Sequence, residues 1–289
     1  MTLSLLYLSM IFGGLSMLSY GIIDYIGAIL ARSEGTVKIT FWYFAVSSII
    51  MAIIGLLFVK PPAIPTVYIA IFATLSVLSA FSLLAFLKGL KVGSISIVSP
   101  IASAYPIVIV FAGVLLLNEA ITISLGAGIV LIILGAVFAS FKMHELRKLK
   151  LSKAIPGVKY ALIALFGWGI LYASIGIISK SLGWFYPVFI ISVGSAIALF
   201  IYSWFGKIDT AFPLKIKRNL FAYATIGTAA FLFYSIGTNI GSIAVVGPIT
   251  GAAPLITVIL AMALKGEKVE INQAIGIIFI ISGIVILSL

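Results

Sequence analysis

The sequence predicts an all-α integral membrane protein with ten transmembrane helices arranged as two inverted five-helix repeats. Three observations carry this: an apolar composition, ten apolar runs of spanning length, and an internal repeat. Of 289 residues, 63% are hydrophobic and 9% are charged, and the mean hydropathy is +1.33. A soluble domain carries about 25% charged residues because its surface must face water, so a water-soluble enzyme is excluded. The chain has no cysteine and one histidine. Disulfides, thiolate chemistry and cysteine or paired-histidine metal sites go with them, and no metal or cofactor is expected. Lys and Arg number 18 against 7 Asp and Glu, a net charge of +11. These cations sit between apolar runs, where they orient a chain in a bilayer, so no nucleic-acid partner is expected.

Crossing about 30 Å of hydrocarbon takes roughly 20 helical residues. The first candidate span, Leu3 to Leu30, is long and lacks the small-residue cleavage pattern of a signal peptide. The second, Ile39 to Val59, stops at Pro61-Pro62, and the third, Ile64 to Phe86, precedes Gly89 and Gly93. The fourth, Ser94 to Leu117, contains Pro100 and Pro106. After the fifth, Ile121 to Phe141, comes the only extended polar connection, Lys142 to Lys153. The sixth, Pro156 to Ser179, and the seventh, Trp184 to Phe205, end near Gly183 and Gly206. The eighth is Leu220 to Asn239, the ninth is Ser242 to Leu264 with Pro248 and Pro254 inside it, and the tenth is Ile271 to Leu287. Glycine and proline mark the places where helices stop and reverse. The runs are continuously apolar, whereas barrel strands alternate, and the 27 glycines allow membrane helices to approach closely.

Shifting the chain by 148 residues aligns its halves without a gap: Gly93-Ser94-Ile95 falls on Gly241-Ser242-Ile243, Val98 on Val246, Pro100 on Pro248, and Pro106 on Pro254. The register continues through Glu119 with Glu267, Gly128 with Gly276 and Gly135 with Gly283. Residues 1–141 therefore form the first repeat, 142–155 a basic linker and 156–289 the second repeat. An odd number of spans per half makes the second enter from the opposite face, the inverted architecture of many secondary transporters. A duplication kept only for packing is the alternative.

The proline with an acid thirteen positions later, Pro106 to Glu119 and Pro254 to Glu267, followed by paired glycines, resembles the EamA-type repeat of the drug/metabolite transporter superfamily. The family's Trp-Gly near the start of each repeat appears as Trp168-Gly169, with Gly13-Gly14 in the first repeat. The resemblance implies a basket of ten helices around a central cavity lined by spans 1, 3, 4, 6, 8 and 9. It also implies export or exchange of small metabolites, often amino acids.

Asp24 is the acid well inside a span, about 10 Å from the middle of the first at ~1.5 Å per residue. A charge there needs a partner, a proton or a wetted cavity. Lys88 and Lys91 close the third span on the same face, so Asp24 and Lys88 are candidates for a coupling or substrate-amine site, or for a structural ion pair. Pro100, Pro106, Pro248 and Pro254 each remove a backbone donor inside a span, making them candidate kinks or hinges, with Ser99, Ser103 and Thr250 available to satisfy the freed carbonyls. Tyr20, Tyr105, Trp168, Tyr172 and Tyr234 offer rings with polar tips within spans, and Ser235 and Asn239 offer buried polar groups. All are candidate cavity residues, with lipid-facing or packing roles as the alternative. Glu119 and Glu267 are read as caps of the helices that follow them.

The expected activity is secondary transport of small polar or amphipathic solutes by alternating access, the partners being a small-molecule substrate and membrane lipid. The chain is expected to act as a monomer, since Gly89 to Gly93 and Gly237 to Gly241 are dimer motifs placed only at helix ends, with a dimer as the alternative. The alternatives are uptake of a sugar or neutral solute on the same fold, and a lipid-handling or interaction protein without a solute path. No Walker motif points to ATP-driven transport. Sixteen of the eighteen Lys and Arg fall on the odd-numbered connections, leaving Lys60 and Lys180 opposite. In a cell membrane this predicts odd connections inside and both termini outside, whereas the resembled family places both termini in the cytoplasm.

Overall fold

The computed structural model describes residues 3–93, 95–144, 151–265 and 268–288. Among these the chain is helical throughout, without strands. The first half contains α1 (Leu3–Glu34), α2 (Thr36–Phe58), α3 (Val67–Val92), α4 (Ile95–Ser103), α5 (Pro106–Leu117) and α6 (Ile123–Ala139). The second contains α7 (Leu151–Leu182), α8 (Tyr186–Gly206), α9 (Lys217–Ile240), α10 (Ile243–Gly251), α11 (Pro254–Lys265) and α12 (Ile271–Leu287). The pairs α4–α5 and α10–α11 each make one broken span, so eight segments are of full spanning length and the 17-residue α6 and α12 are shorter apolar helices. Ten crossings result. Their outward faces carry large apolar side chains such as Leu57, Phe58, Leu115 and Ile271, which suits lipid rather than water.

The 148-residue shift holds in the structure as well as in the sequence. It carries α1 onto α7, α4 onto α10, α5 onto α11 and α6 onto α12 with matching bounds. In this register Trp168-Gly169 falls on Tyr20-Gly21, which corrects the assignment to Gly13-Gly14. Packing follows the same rule. A Cβ at Gly21 would meet Ile256 and one at Gly169 would meet Val108, the equivalent residue of the other half. Across the two halves, α6 and α12 pack against each other through Gly135 with Gly276 and Gly128 with Gly283, each too close to the facing backbone to accept a side chain. Small residues allow this approach where no hydrophobic exclusion drives helices together.

The proline expectation needs a correction. Pro100 and Pro248 do lie inside helices, but Pro106 and Pro254 begin new ones after two-residue breaks. At a helix start the missing donor would have been unpaired in any case. The freed carbonyls are satisfied by the break itself: Tyr105 N–H donates to Ala102 O at 3.2 Å and Ala253 N–H to Thr250 O at 3.3 Å. Tightening the turn to an i→i−3 pattern therefore replaces the serine and threonine side chains expected to do this.

On the face of the odd connections, the loop after α8 docks on the start of α2. Lys38 Nζ donates to Asp209 at 2.9 Å and Trp42 Nε1 to Thr210 O at 2.9 Å. The Lys38 hydrogen bond, aided by the Ala211 amide, holds the Asp209 carboxyl below its usual range. At the start of α12, Glu270 forms a capping box with Gln273 and bonds His144, and the His144 hydrogen bond likewise lowers its carboxyl. Glu267 and the basic stretch 145–150 lie outside the described residues.

Candidate functional site

Residues three and four apart share a helix face. On α1 these are Tyr20, Ile23 and Asp24; on α7 they are Trp168, Leu171 and Tyr172, at the equivalent repeat positions. Both triplets line one cavity, together with Ser103 and Tyr105 at the first break, Gly251, Ala253 and Pro254 at the second, Tyr43 and Phe44 of α2, Ser79, Leu83 and Phe86 of α3, and Tyr223 and Phe231 of α9. The centre of a water-sized sphere can move through about 100 Å³ of it. One water needs roughly 10–15 Å³, so this is room for several waters or a small solute.

The wall is aromatic and knitted. Tyr172 O–H donates to Tyr20 Oη at 2.6 Å, and the Tyr172 ring stands 5.4 Å from Tyr105 and 5.9 Å from Phe231. Trp168 lies between Phe86 at 4.9 Å and Tyr105 at 6.1 Å. Opposite them, Tyr43 and Tyr223 pair at 5.0 Å. Gly227 and Gly27 leave the space their rings occupy, since a Cβ at either would run into Tyr43 or Tyr223. Asp24 is exposed to the cavity and, among the described residues, has no hydrogen-bond or ion-pair partner.

The cavity extends from the two breaks toward the odd-connection face. Tyr43 and Tyr223 stand within about two turns of the odd-connection ends of α2 and α9. Their repeat equivalents, Ile191 and Leu75, are not among the cavity's lining residues. On the even-connection face the halves are tied across the entrance. The Glu119 carboxylate accepts from Ser242 Oγ at 2.8 Å and from the Ile243 and Ala244 amides at 2.9 Å each. Glu119 thus caps a helix, but α10 of the other half rather than the α6 that follows it, which Thr122 caps. Lys180 Nζ donates to Asn239 O at 3.2 Å and also to Gly241 O at the end of α9, a cation at the negative end of the helix dipole. Glu119→Ala should lower stability in detergent by about 2 kcal/mol, because an anionic acceptor of three bonds is lost. Thermal unfolding measures it, and an unchanged midpoint would remove the cap's importance.

The profile of the EamA-like transporter family matches residues 7–141 and again residues 155–289. The chain belongs to the EamA-like transporter family. The two matched stretches are the two structural halves, and the family is one of membrane transporters, not of enzymes. No curated protein matches the chain. A crystal structure superimposes with a TM-score of 0.77 over 97% of this chain and 98% of its own, at 16% identity, a likeness of fold alone.

In this EamA-like chain, Tyr20, Asp24, Ser103, Tyr105, Trp168, Tyr172 and Pro254 are brought to the cavity wall. Lys88 is not: it is exposed, with Nζ 5.2 Å from the Tyr160 ring, and does not pair with Asp24. Tyr234 stands behind the wall, donating to Tyr172 O at 2.9 Å. Asn239 bonds Ser179 O near the closed face. Ser235 and Thr250 are buried with hydroxyls that have no partner among the described residues, and Ser99 is half-buried outside the lining. Pro100, Pro106 and Pro248 lie in the broken spans without lining the cavity. Missed in the sequence were Tyr43, Phe44, Ser79, Phe86, Tyr223 and Phe231. The repeat held one signal, because Ile23 with Leu171 and Leu83 with Phe231 are equivalent pairs that all line the site. Among the described residues no group of three His, Cys, Asp or Glu could hold a metal ion.

Proposed function

We propose that this protein is a monomeric secondary carrier of small polar or amphipathic metabolites in the cell membrane, working by alternating access. The observation that supports it is a midplane cavity built in part from repeat-equivalent positions but lined on one side by Tyr43 and Tyr223 without their equivalents Ile191 and Leu75. Two halves with one sequence pattern and two different packings supply two exchangeable states. The unpartnered hydroxyls of Ser235 and Thr250 fit this reading, since opening the even-connection face would give them water. Proteoliposomes loaded with a panel of amino acids, amines and sugars, with and without a pH gradient, test it. Saturable counterflow of one solute class is expected. A lipid-handling or interaction protein would move none.

The carrier is proposed to sit with its odd connections in the cytoplasm and both termini outside, following its Lys and Arg. With no native cysteine, Lys60→Cys should react with an impermeant thiol reagent in intact cells and Lys207→Cys should resist it. The reverse pattern would place the termini inside.

A further inference from the structure

Taking the cavity as a solute site, as proposed above, we infer that its solute is a small organic ammonium ion, held by the Asp24 carboxylate and the surrounding aromatic rings. Asp24 opens into the cavity without a partner among the described residues. No Lys, Arg or His stands among the described lining residues, and Lys88, the cation nearest in sequence logic, lies over the Tyr160 ring instead. A carboxylate enclosed at membrane depth is balanced by a proton or by a cation.

The walls select which cation. Tyr43, Tyr105 and Tyr223 lie within electrostatic reach of Asp24, and Trp168 and Tyr172 complete the enclosure. Aromatic faces carry negative potential and attract ammonium groups, quaternary ones included, with Trp the strongest. Hard metal cations need six or more oxygen ligands, and one carboxylate among rings does not supply them. An anion finds no positive group among the described lining residues. A zwitterion such as an amino acid would bring a second carboxylate beside Asp24 with nothing to receive it. The solute is therefore a cation without a carboxylate, small enough for a cavity of about 100 Å³.

The test uses the full chain in lipid nanodiscs and calorimetric titration with four probes. Choline and benzyltrimethylammonium are the cations, 3,3-dimethylbutan-1-ol is the uncharged isostere of choline, and glycine betaine adds a carboxylate to the same ammonium. At least one cation should bind about tenfold or more tighter than the alcohol and the betaine. Asp24→Asn should erase that preference, and Asp24→Glu should retain part of it. Equal binding of all four probes, no binding of either cation, or a preference that survives Asp24→Asn overturns the inference. Should Asp24→Asn fail to fold, the comparison of probes on the unaltered chain still decides. Counterflow of other solutes by a protein with no cation preference would remove the ammonium site and leave the carrier reading standing. Asp24-dependent choline binding without counterflow of any solute would do the reverse.

Discussion

Asp24→Asn should slow solute counterflow by about tenfold or more, because the change removes the cavity's charge and nothing in its shape. Asparagine fills the space of aspartate, so the aromatic wall from Tyr20 to Tyr223 keeps its packing. Thermal stability should be unchanged or slightly raised, since an uncompensated charge is no longer held away from bulk water. The measurement is initial rate in proteoliposomes at matched protein incorporation, alongside the unfolding midpoint. A full rate in the variant would make the carboxylate structural. A reduced rate together with a much lower midpoint would point to misfolding instead.

The second large effect concerns the crossing of α6 and α12. Gly276→Val and Gly135→Val should each destabilise the fold by about 2–3 kcal/mol or abolish monodisperse protein, the range expected for overpacking. A Cβ at Gly276 would lie 2.6 Å from both Ala139 N and Gly135 O, and one at Gly135 would lie 2.6 Å from Gly276 O. These are backbone atoms. No rotamer change can relieve the contact, so the helices must separate. Gly14→Ala is the control, because nothing stands within 4 Å of a Cβ there, and it should be neutral or stabilising through its gain in helix propensity. Comparable losses at Gly14 and Gly276 would show that any glycine in these helices matters equally and would remove the argument from close approach.

The spans and the repeat were legible because run length and duplication are one-dimensional properties. Asp24 was legible too, as an acid isolated in an apolar helix. The proline breaks were read as kinks, since local sequence shows the missing donor but not the tightened turn that takes up the carbonyl. Glu119 was read as the right kind of group on the wrong helix: its partner Ser242 is 123 residues away, and nothing near Glu119 in the chain announces it. Tyr43 and Tyr223 escaped for a different reason. Their equivalents Ile191 and Leu75 do not line the cavity, so the two halves of the repeat use the same positions differently. A symmetric sequence pattern cannot announce an asymmetric state. Thr250 and Ser235 likewise stand outside the wall, both fully buried.

The α6–α12 crossing joins each helix to its own counterpart through matched glycines, and this places it on the pseudo-twofold axis relating the halves. An operation that trades the shape of one half for that of the other maps this crossing onto itself. The bonds from Glu119 to α10 lie off the axis, and the same trade must break them. In the alternating-access cycle proposed above, this crossing would be the spindle about which the two halves rock, held together there through every step.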